Sequence, residues 1–517
     1  MAGRAQPQGK AVTSATPKVD FRLGAYRDAY AGWQRIRDCV NGQDAVKDKG
    51  HLYLPYIQPS DTTPANKDRN EQYLARAVFV GFTKRTLKGL VGQVFAKPPV
   101  LELPAVLEEA RTSVDGGAVS WDQQAKQALS DVLAVGRCGL LVDYPRVVPD
   151  EGLTAPTVQQ QRAQRLRPTI QYYFAEQIIN WRVEMVDGRR QTTLVVLEET
   201  YDAEDDGFEK KTATQWRELR LVDKVYQMTL WRKVDGNFAI VEGPHTPTLA
   251  DGKALDEIPF VVIGSDNNDP GIDDAPMLDL ANLNVAHYRN SADFEEMVYL
   301  LGQPTPWFSG LTQKWIDEVW KDGIALGSRA AIPLPQGAQA GLLQVSESQI
   351  ALKALEQKER LAVALGAKLV EQATVQRTAT EARQEEASES SVLQTAAQNV
   401  SAGYTAALKV MAAFAGADLS ADHSYALNTD FEISRMTVDG RRQLLAEWQG
   451  GAISYTEYRS ILRRAGIASL DDEEAQAEID AQTEKDMELA VAQVAGTAEA
   501  SAAASSKFAP KPSGAKR

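Results

Sequence analysis

The residues best suited to chemistry crowd into Asp266–Asp274 (DNNDPGIDD), where carboxylates and amides gather as they do in a cation-binding loop. The loop fails as an EF-hand. Pro270 occupies a ligand position, and Met277 stands where a bidentate glutamate belongs. A polar turn capping the helix that Pro276 opens is the plainer reading, with a weak divalent site at an assembly interface as the alternative. No GxxxxGK[ST] phosphate loop occurs. Gly252-Lys253 is followed by Ala254 and lacks the upstream glycine that such a cradle needs. There is no GxSxG, HExxH or paired CxxC. His51, His245, His287 and His423 are scattered without ligand spacing and read as structural or surface residues. The expectation is a chain with no catalytic residues, no cofactor and no metal centre.

The strongest pattern in the chain is a pair of helical segments around a polar break. Ser346–Gln372 places Ile350, Leu352, Leu355, Leu361, Val363, Leu365 and Leu369 among many charges. Thr380–Gly416 carries Val392, Leu393, Ala396, Ala397, Val400, Tyr404, Leu408, Met411 and Phe414. Spacings of three and four lay an apolar stripe along each helix. Ser346 with Gln349 and Thr378 with Glu381 read as capping boxes, so the chain restarts a helix after Ala373–Ala379 (ATVQRTA). The second helix is expected to be about 50 Å long at 1.5 Å per residue. A polar break between long rods is a candidate for touching something that passes by.

Upstream, Gln72–Val94 reads as one helix stopped by Pro98-Pro99. Ser120 with Gln123 caps a helix running toward Ala134, followed by Gly136 and the strand-like Leu140–Val142. Thr192–Thr200, Leu219–Trp231 and Phe238–Val241 read as antiparallel strands, with turns at Asp187-Gly188 and Asp235-Gly236. Trp181, Trp216 and Trp231 are expected anchors of that region. Pro259–Val262 is a short buried strand, and Pro276–Leu300 a helix. Gly302–Val345 is a small αβ insert with a helix over Thr312–Lys321 and strand-like runs near Ile324–Leu326 and Ala331–Leu334. Trp307, Trp315 and Trp320 are many aromatics for so small a core, which points to an interface for at least one of them. Tyr425–Ser434 reads as a strand, Thr437–Gly450 and Ser454–Ala465 as helices, and Asp471–Glu488 as an acidic helical run. Fold class is therefore α+β, mainly helical. Both chain ends, rich in Ala with Gly, Pro, Ser or Thr, predict disorder.

With 517 residues, 44% of them hydrophobic, the chain can bury several cores. Cys39 and Cys138 cannot build a disulfide framework, which fits assembly in a reducing compartment. No apolar run approaches membrane-spanning length. A net charge of −14 speaks against a surface that grips nucleic-acid phosphates broadly, yet permits a passage through which a duplex slides without deep traps.

The run Thr378–Leu393 (TATEARQEEASESSVL), the stretch Ile258–Glu296 and the following Gly302–Gly310 (GQPTPWFSG), in that order, resemble tailed-bacteriophage portal proteins of the long single-domain group. The likeness spans roughly Leu23 to Gly466. It implies a subunit of a homo-oligomeric ring, generally of twelve copies, at one capsid vertex of the virion, assembled in the host cytoplasm. Through such a ring double-stranded DNA is packaged and later ejected. Implied partners are terminase, the major capsid protein, a tail adaptor and DNA contacted without regard to sequence.

The resemblance assigns residues 1–21 to an arm, 22–275 to the wing, 276–300 and 346–372 to two stem helices, and 301–345 to the clip. It assigns 373–379 to a tunnel loop, 380–435 to a long helix and wing strand, 436–490 to the crown, and 491–517 to a tail. Thr374, Gln376, Arg377 and Thr378 would then face DNA. Trp307, Trp315 and Trp320 would serve the clip interface. Lys353, Glu356, Lys358 and Arg360 would form ion pairs between neighbouring stems. Another virion ring protein, such as a head-completion or tail-adaptor protein, stays open as an alternative, and a DNA-processing enzyme less so.

Overall fold

A computed structural model describes residues 18–145, 166–301, 305–320, 333–343, 349–369, 391–418, 423–429, 431, 438–450 and 452–464. Residues 370–390, with the four expected DNA-facing positions, lie outside them, as do the acidic Asp471–Glu488 and both chain ends. The chain divides into two units, Met1–Thr429 and Asp430–Arg517.

In the first unit, α1 (Gly24–Asn41), α2 (Gln43–Asp48), α3 (Pro64–Arg76) and α4 (Phe82–Val94) lead into β1 (Val100–Glu102) and α5 (Trp121–Val135). The expected single helix over Gln72–Val94 is two, because the chain turns between Arg76 and Phe82. The side chain of Asn284 holds that turn from a distant part of the sequence. Its Nδ2 donates to Val80 O (2.7 Å), and its Oδ1 accepts from Thr83 N (3.2 Å), where α4 has no local side-chain cap.

The capping box at α5 forms as read: Gln123 N donates to Ser120 Oγ (3.3 Å) and Ser120 N to Gln123 Oε1 (3.0 Å). Gly136 then ends the helix at φ +78°. A Cβ there would sit 2.8 Å from Asp274 O, so the position needs glycine twice over. The chain continues as β2 (Arg137–Asp143), flanked by β3 (Thr169–Phe174) and β9 (Phe260–Gly264) in a three-stranded antiparallel sheet ordered β3-β2-β9.

Between β3 and β9 runs a five-stranded meander: β4 (Ile178–Val186), β5 (Arg189–Asp205), β6 (Lys210–Val222), β7 (Val225–Val234) and β8 (Asn237–His245). The turns at Asp187-Gly188 and Asp235-Gly236 form where the sequence places them, each with two positive φ values. The run Leu219–Trp231, read as one strand, is instead broken by a third such turn at Asp223 (φ 49°) and Lys224 (φ 66°). Lysine rarely adopts that conformation, so composition gives no warning of it. Trp216 and Trp231 face each other across β6 and β7, and Trp181 is buried on β4.

After β9 come α6 (Leu278–Leu301), β10 (Thr305–Ser309), α7 (Gln313–Val319), β11 (Gln339–Leu343), α8 (Gln349–Lys368), α9 (Val392–Ala415) and β12 (Ser424–Ala426). Of the strand expected over Tyr425–Ser434, Tyr425 and Ala426 belong to β12, paired antiparallel with β1, residues 427–429 and 431 are not strand, and the remaining positions lie outside the described residues. The strand-like runs Ile324–Leu326 and Ala331–Ile332 lie outside the described residues, and Pro333-Leu334 are not strand. The tip's second strand is β11, antiparallel to β10.

The helix expected from Thr380 has its start at Val392. Ser391 is extended (ψ 155°), and its Oγ accepts from Gln394 N at 3.2 Å, a cap that ends any helical continuity upstream. The element is therefore about 36 Å long rather than 50. Its apolar stripe is real: Leu393, Ala396, Val400, Tyr404, Leu408 and Met411 are all buried. With α5 it packs on the three-stranded sheet. A Cβ on Gly403 would lie 2.5 Å from Ile263 Cγ1, so the missing side chain is what lets α9 approach β9.

In the second unit the described elements are α10 (Val438–Gln449) and α11 (Tyr455–Arg464). Ser454 and Glu457 form the expected capping box (2.8 and 3.2 Å), and Trp448 stacks on Tyr458 at 4.9 Å. The fold is thus mixed helix and antiparallel sheet, consistent with the α+β class.

Candidate functional site

The element that best suits a function is a helical hairpin, α6 and α8 packed together, with β10, α7 and β11 between them in the chain. Its root is held firmly. Tyr73 donates to Asp293 Oδ1 (2.6 Å), Arg289 Nε to Tyr53 O (2.7 Å), and Arg76 and Arg69 both pair with Glu296. A Cβ on Gly366 of α8 would meet Thr86 Cγ2 of α4 at 3.2 Å.

Beyond the root the apolar surface is uncovered. On α8 Ala362 is buried, while Ile350 is 80% and Val363 74% exposed, and Leu352 and Leu361 are exposed too. At the end of α6, Val298, Tyr299 and Leu300 are likewise exposed. A helix whose apolar residues face water has not found its partner among the described residues.

At the tip, Trp315 and Trp320 meet edge to face at 6.1 Å, and Phe308 joins them at 5.5 Å from Trp320. Trp307 lies apart. It is opposite Gly341 on β11, where an added Cβ would come within 2.8 Å of its Nε1, and it remains 42% exposed. Ile316, Val319 and Leu342 are exposed as well. The described tip residues make a small aromatic cluster and leave apolar surface outside it.

Of the stem charges, Glu356 and Arg360 pair with each other along α8 at 4.0 Å. Lys353 is exposed, and Lys358 is half-buried, with burial pushing its ammonium pKa down and Asp293 opposing. Thr374, Gln376, Arg377 and Thr378 lie outside the described residues, which resume at Ser391. Leu393 N donates to Leu369 O at 3.2 Å, so the chain leaves α8 and enters α9 at a single point.

Two residues of the hairpin escaped the reading as functional positions. Asn284 caps α4, as above. His287 is buried, its ring edge-on to Phe82 of α4 (4.8 Å) and its Nε2 3.6 Å from Glu359 of α8, with neither ring nitrogen hydrogen-bonded among the described residues. Burial lowers its pKa from the ordinary 6.5, against the pull of Glu359 and with help from Lys358. The unfolded chain therefore takes up the proton first as pH falls. Stability contributed by the neutral ring is full above about 6.5 and is lost as pH drops through the folded pKa. Thermal unfolding across pH 7.5 to 5 should show this loss. The variant His287→Leu should flatten the part of the slope that His287 supplies, and an unchanged slope would remove His287 from that role.

The Asp266–Asp274 loop is a polar turn. Asp273 Oδ2 accepts from Asp266 N (2.8 Å) and Asn267 N (3.2 Å), Asp269 Oδ1 accepts from Gly271 N (2.6 Å), and Asn268 Nδ2 donates to Asn399 O of α9 (2.9 Å). Among the described residues no three His, Cys, Asp or Glu side chains come together as a metal site, and no helix is long and apolar enough to cross a membrane.

No curated protein matches the chain. A family model described as a domain of unknown function (DUF4055), a phage-associated domain, matches residues 276–415, the stretch from just before α6 to the last residue of α9.

Proposed function

We propose that this chain is a portal subunit: a ring-forming protein at one vertex of a phage capsid, through which double-stranded DNA enters and leaves. The observation that carries the reading is the hairpin of α6 and α8, on which Ile350, Leu352, Leu361, Val363, Val298, Tyr299 and Leu300 are exposed. Identical hairpins standing side by side around an axis would cover those residues and close a circle by heterologous contacts. The Glu356–Arg360 charges, with Lys353 and Lys358, would then face neighbouring hairpins.

The exposed tip, with Trp307 and the Trp315–Trp320 cluster, would be the docking face for terminase during packaging and for a tail adaptor afterwards. The major capsid protein would surround the wing. The chain on either side of residues 370–392 is joined by a hydrogen bond from Leu393 N to Leu369 O. Such a junction suits a short segment reaching toward the axis, with Arg377 meeting passing phosphates through weak, sequence-blind attraction. The phage-associated family match over the same residues supports the reading. The mechanism needs no catalytic residue, because ring closure and steric guidance do the work while a separate motor supplies the force.

Arg377→Glu should leave ring formation intact and reduce packaged or retained DNA severalfold, measured as DNA content of particles assembled with the variant. Full DNA content would contradict the role of Arg377, and loss of rings would contradict its assignment to the passage.

A further inference from the structure

A cavity of about 700 Å³ opens between the meander and the three-stranded sheet. Its walls include Trp181, Val195, Phe260, Arg190 and the Asp269–Gly271 turn, and Arg137 lines it from the start of β2. Arg137 is 1% exposed, and none of its three guanidinium nitrogens has a hydrogen-bond partner among the described residues. One face stacks on the Trp181 ring at 4.0 Å. A buried guanidinium without an acceptor is costly, and proteins seldom keep one without use. Asp273 and Asp269 act on it only at a distance. Burial pushes its pKa down to about 10, and those two carboxylates oppose the change without bonding to it. Asp273 and Asp269 already accept from backbone amides of their own turn.

We propose that this cavity binds a carboxylate carried on an apolar body, with the Arg137 guanidinium as its receptor and Trp181 and Phe260 against its carbon frame. The planar fork of arginine matches a carboxylate bidentately. The size, with the Trp181 and Phe260 rings set beside charged and amide side chains, suits a small organic ligand rather than a bare ion. Asp269 on the same wall and Asp273 behind it disfavour a doubly charged phosphate. Arg190, exposed at the rim, adds attraction at the entrance. The carboxylate could belong to a free molecule or to an acidic side chain of a second copy of this chain.

Calorimetric titration of the purified full-length protein with phenylacetate tests the site, with phenylacetamide and inorganic phosphate as controls. Saturable binding of phenylacetate, at least tenfold weaker for both controls, is expected. Arg137→Met should lose that binding by tenfold or more. Arg190→Gln, a surface change that leaves the core alone, should weaken it by about threefold even if Arg137→Met fails to fold. Binding seen in dilute protein but blocked in assembled protein assigns the natural carboxylate to a second copy, and binding in both assigns it to a free molecule. No saturable binding, an equal response to phosphate, or binding indifferent to both substitutions overturns the proposal.

Discussion

Asp131→Ala is expected to cost the Met1–Thr429 unit about 3–5 kcal/mol, the range for breaking a buried ion pair from one side. Asp131 is fully buried on α5, and its carboxylate receives hydrogen bonds from Arg37 of α1, from Tyr172 of β3 and from Gln127 one turn away (3.0 Å). Arg37 is shared with Glu176, to which its Nε donates at 2.8 Å. Burial works against the Arg37 cation, but Glu176 and Asp131 outweigh it and raise its pKa above the ordinary arginine value. Burial likewise drives the Tyr172 phenol well above its ordinary pKa, so it stays a donor. Removing the carboxylate leaves the Tyr172 hydroxyl without its acceptor and Arg37 with Glu176 as its remaining partner, and an unmet buried group costs more than a made bond returns. Urea unfolding followed by circular dichroism measures the change. Asp131→Asn, which keeps an acceptor of the same shape, should lose less than the alanine variant. Equal losses would mean that charge, not hydrogen bonding, holds this junction of α1, α5 and β3.

Trp121→Ala should be comparably damaging, by about 3–5 kcal/mol, while Trp121→Phe should cost far less. Trp121 is fully buried at the first position of α5, with its ring 5.8 Å from that of Tyr404 on α9 and 6.2 Å from that of Tyr425 on β12. These three rings join a helix, a second helix distant in sequence and the last strand of the unit. The alanine variant leaves a cavity lined by side chains that are themselves anchored: Tyr404 donates to Gln124 (3.2 Å) and Tyr425 to Asp122 (3.3 Å), so collapse into the space is limited. The indole nitrogen has no acceptor among the described residues, so phenylalanine gives up volume but no hydrogen bond. Thermal unfolding of both variants separates the two terms. A phenylalanine variant as unstable as the alanine one would show that the indole makes a polar contact after all.

What could be read from the amino-acid order, and what could not, divides by the range of the interaction. Local chemistry was legible. The Ser120–Gln123 and Ser454–Glu457 boxes and the turns at Asp187-Gly188 and Asp235-Gly236 are encoded within a few residues of where they act, and each forms as expected. Long-range chemistry was not. The break between α3 and α4 depends on Asn284 reaching back from α6, and nothing near Ala77–Gly81 announces it. The turn at Asp223-Lys224 uses a residue that seldom adopts positive φ, imposed by pairing of β6 with β7. The start of α9 was set too early because Thr378 with Glu381 and Ser391 with Gln394 are both credible helix starts, and periodicity alone does not choose between them.

At the candidate site the helix–insert–helix order was readable from apolar spacing, whereas its lack of cover was not. A stripe such as Ile350, Leu352, Leu361 and Val363 predicts that something packs there, not whether that partner is the same chain. Arg137 left a fainter trace: a lone charge between a helix-ending glycine and the apolar run CGLLV is a charge entering a core.

Electron microscopy of the purified full-length protein bears most directly on the central claim, that hairpins from identical copies stand side by side around an opening. The account predicts closed rings of one rotational symmetry, with α6 and α8 lining neighbouring copies and an axial passage wide enough for a DNA duplex. Single separate subunits, or an assembly whose exposed face of α8 points to solvent with no passage through its centre, would contradict it.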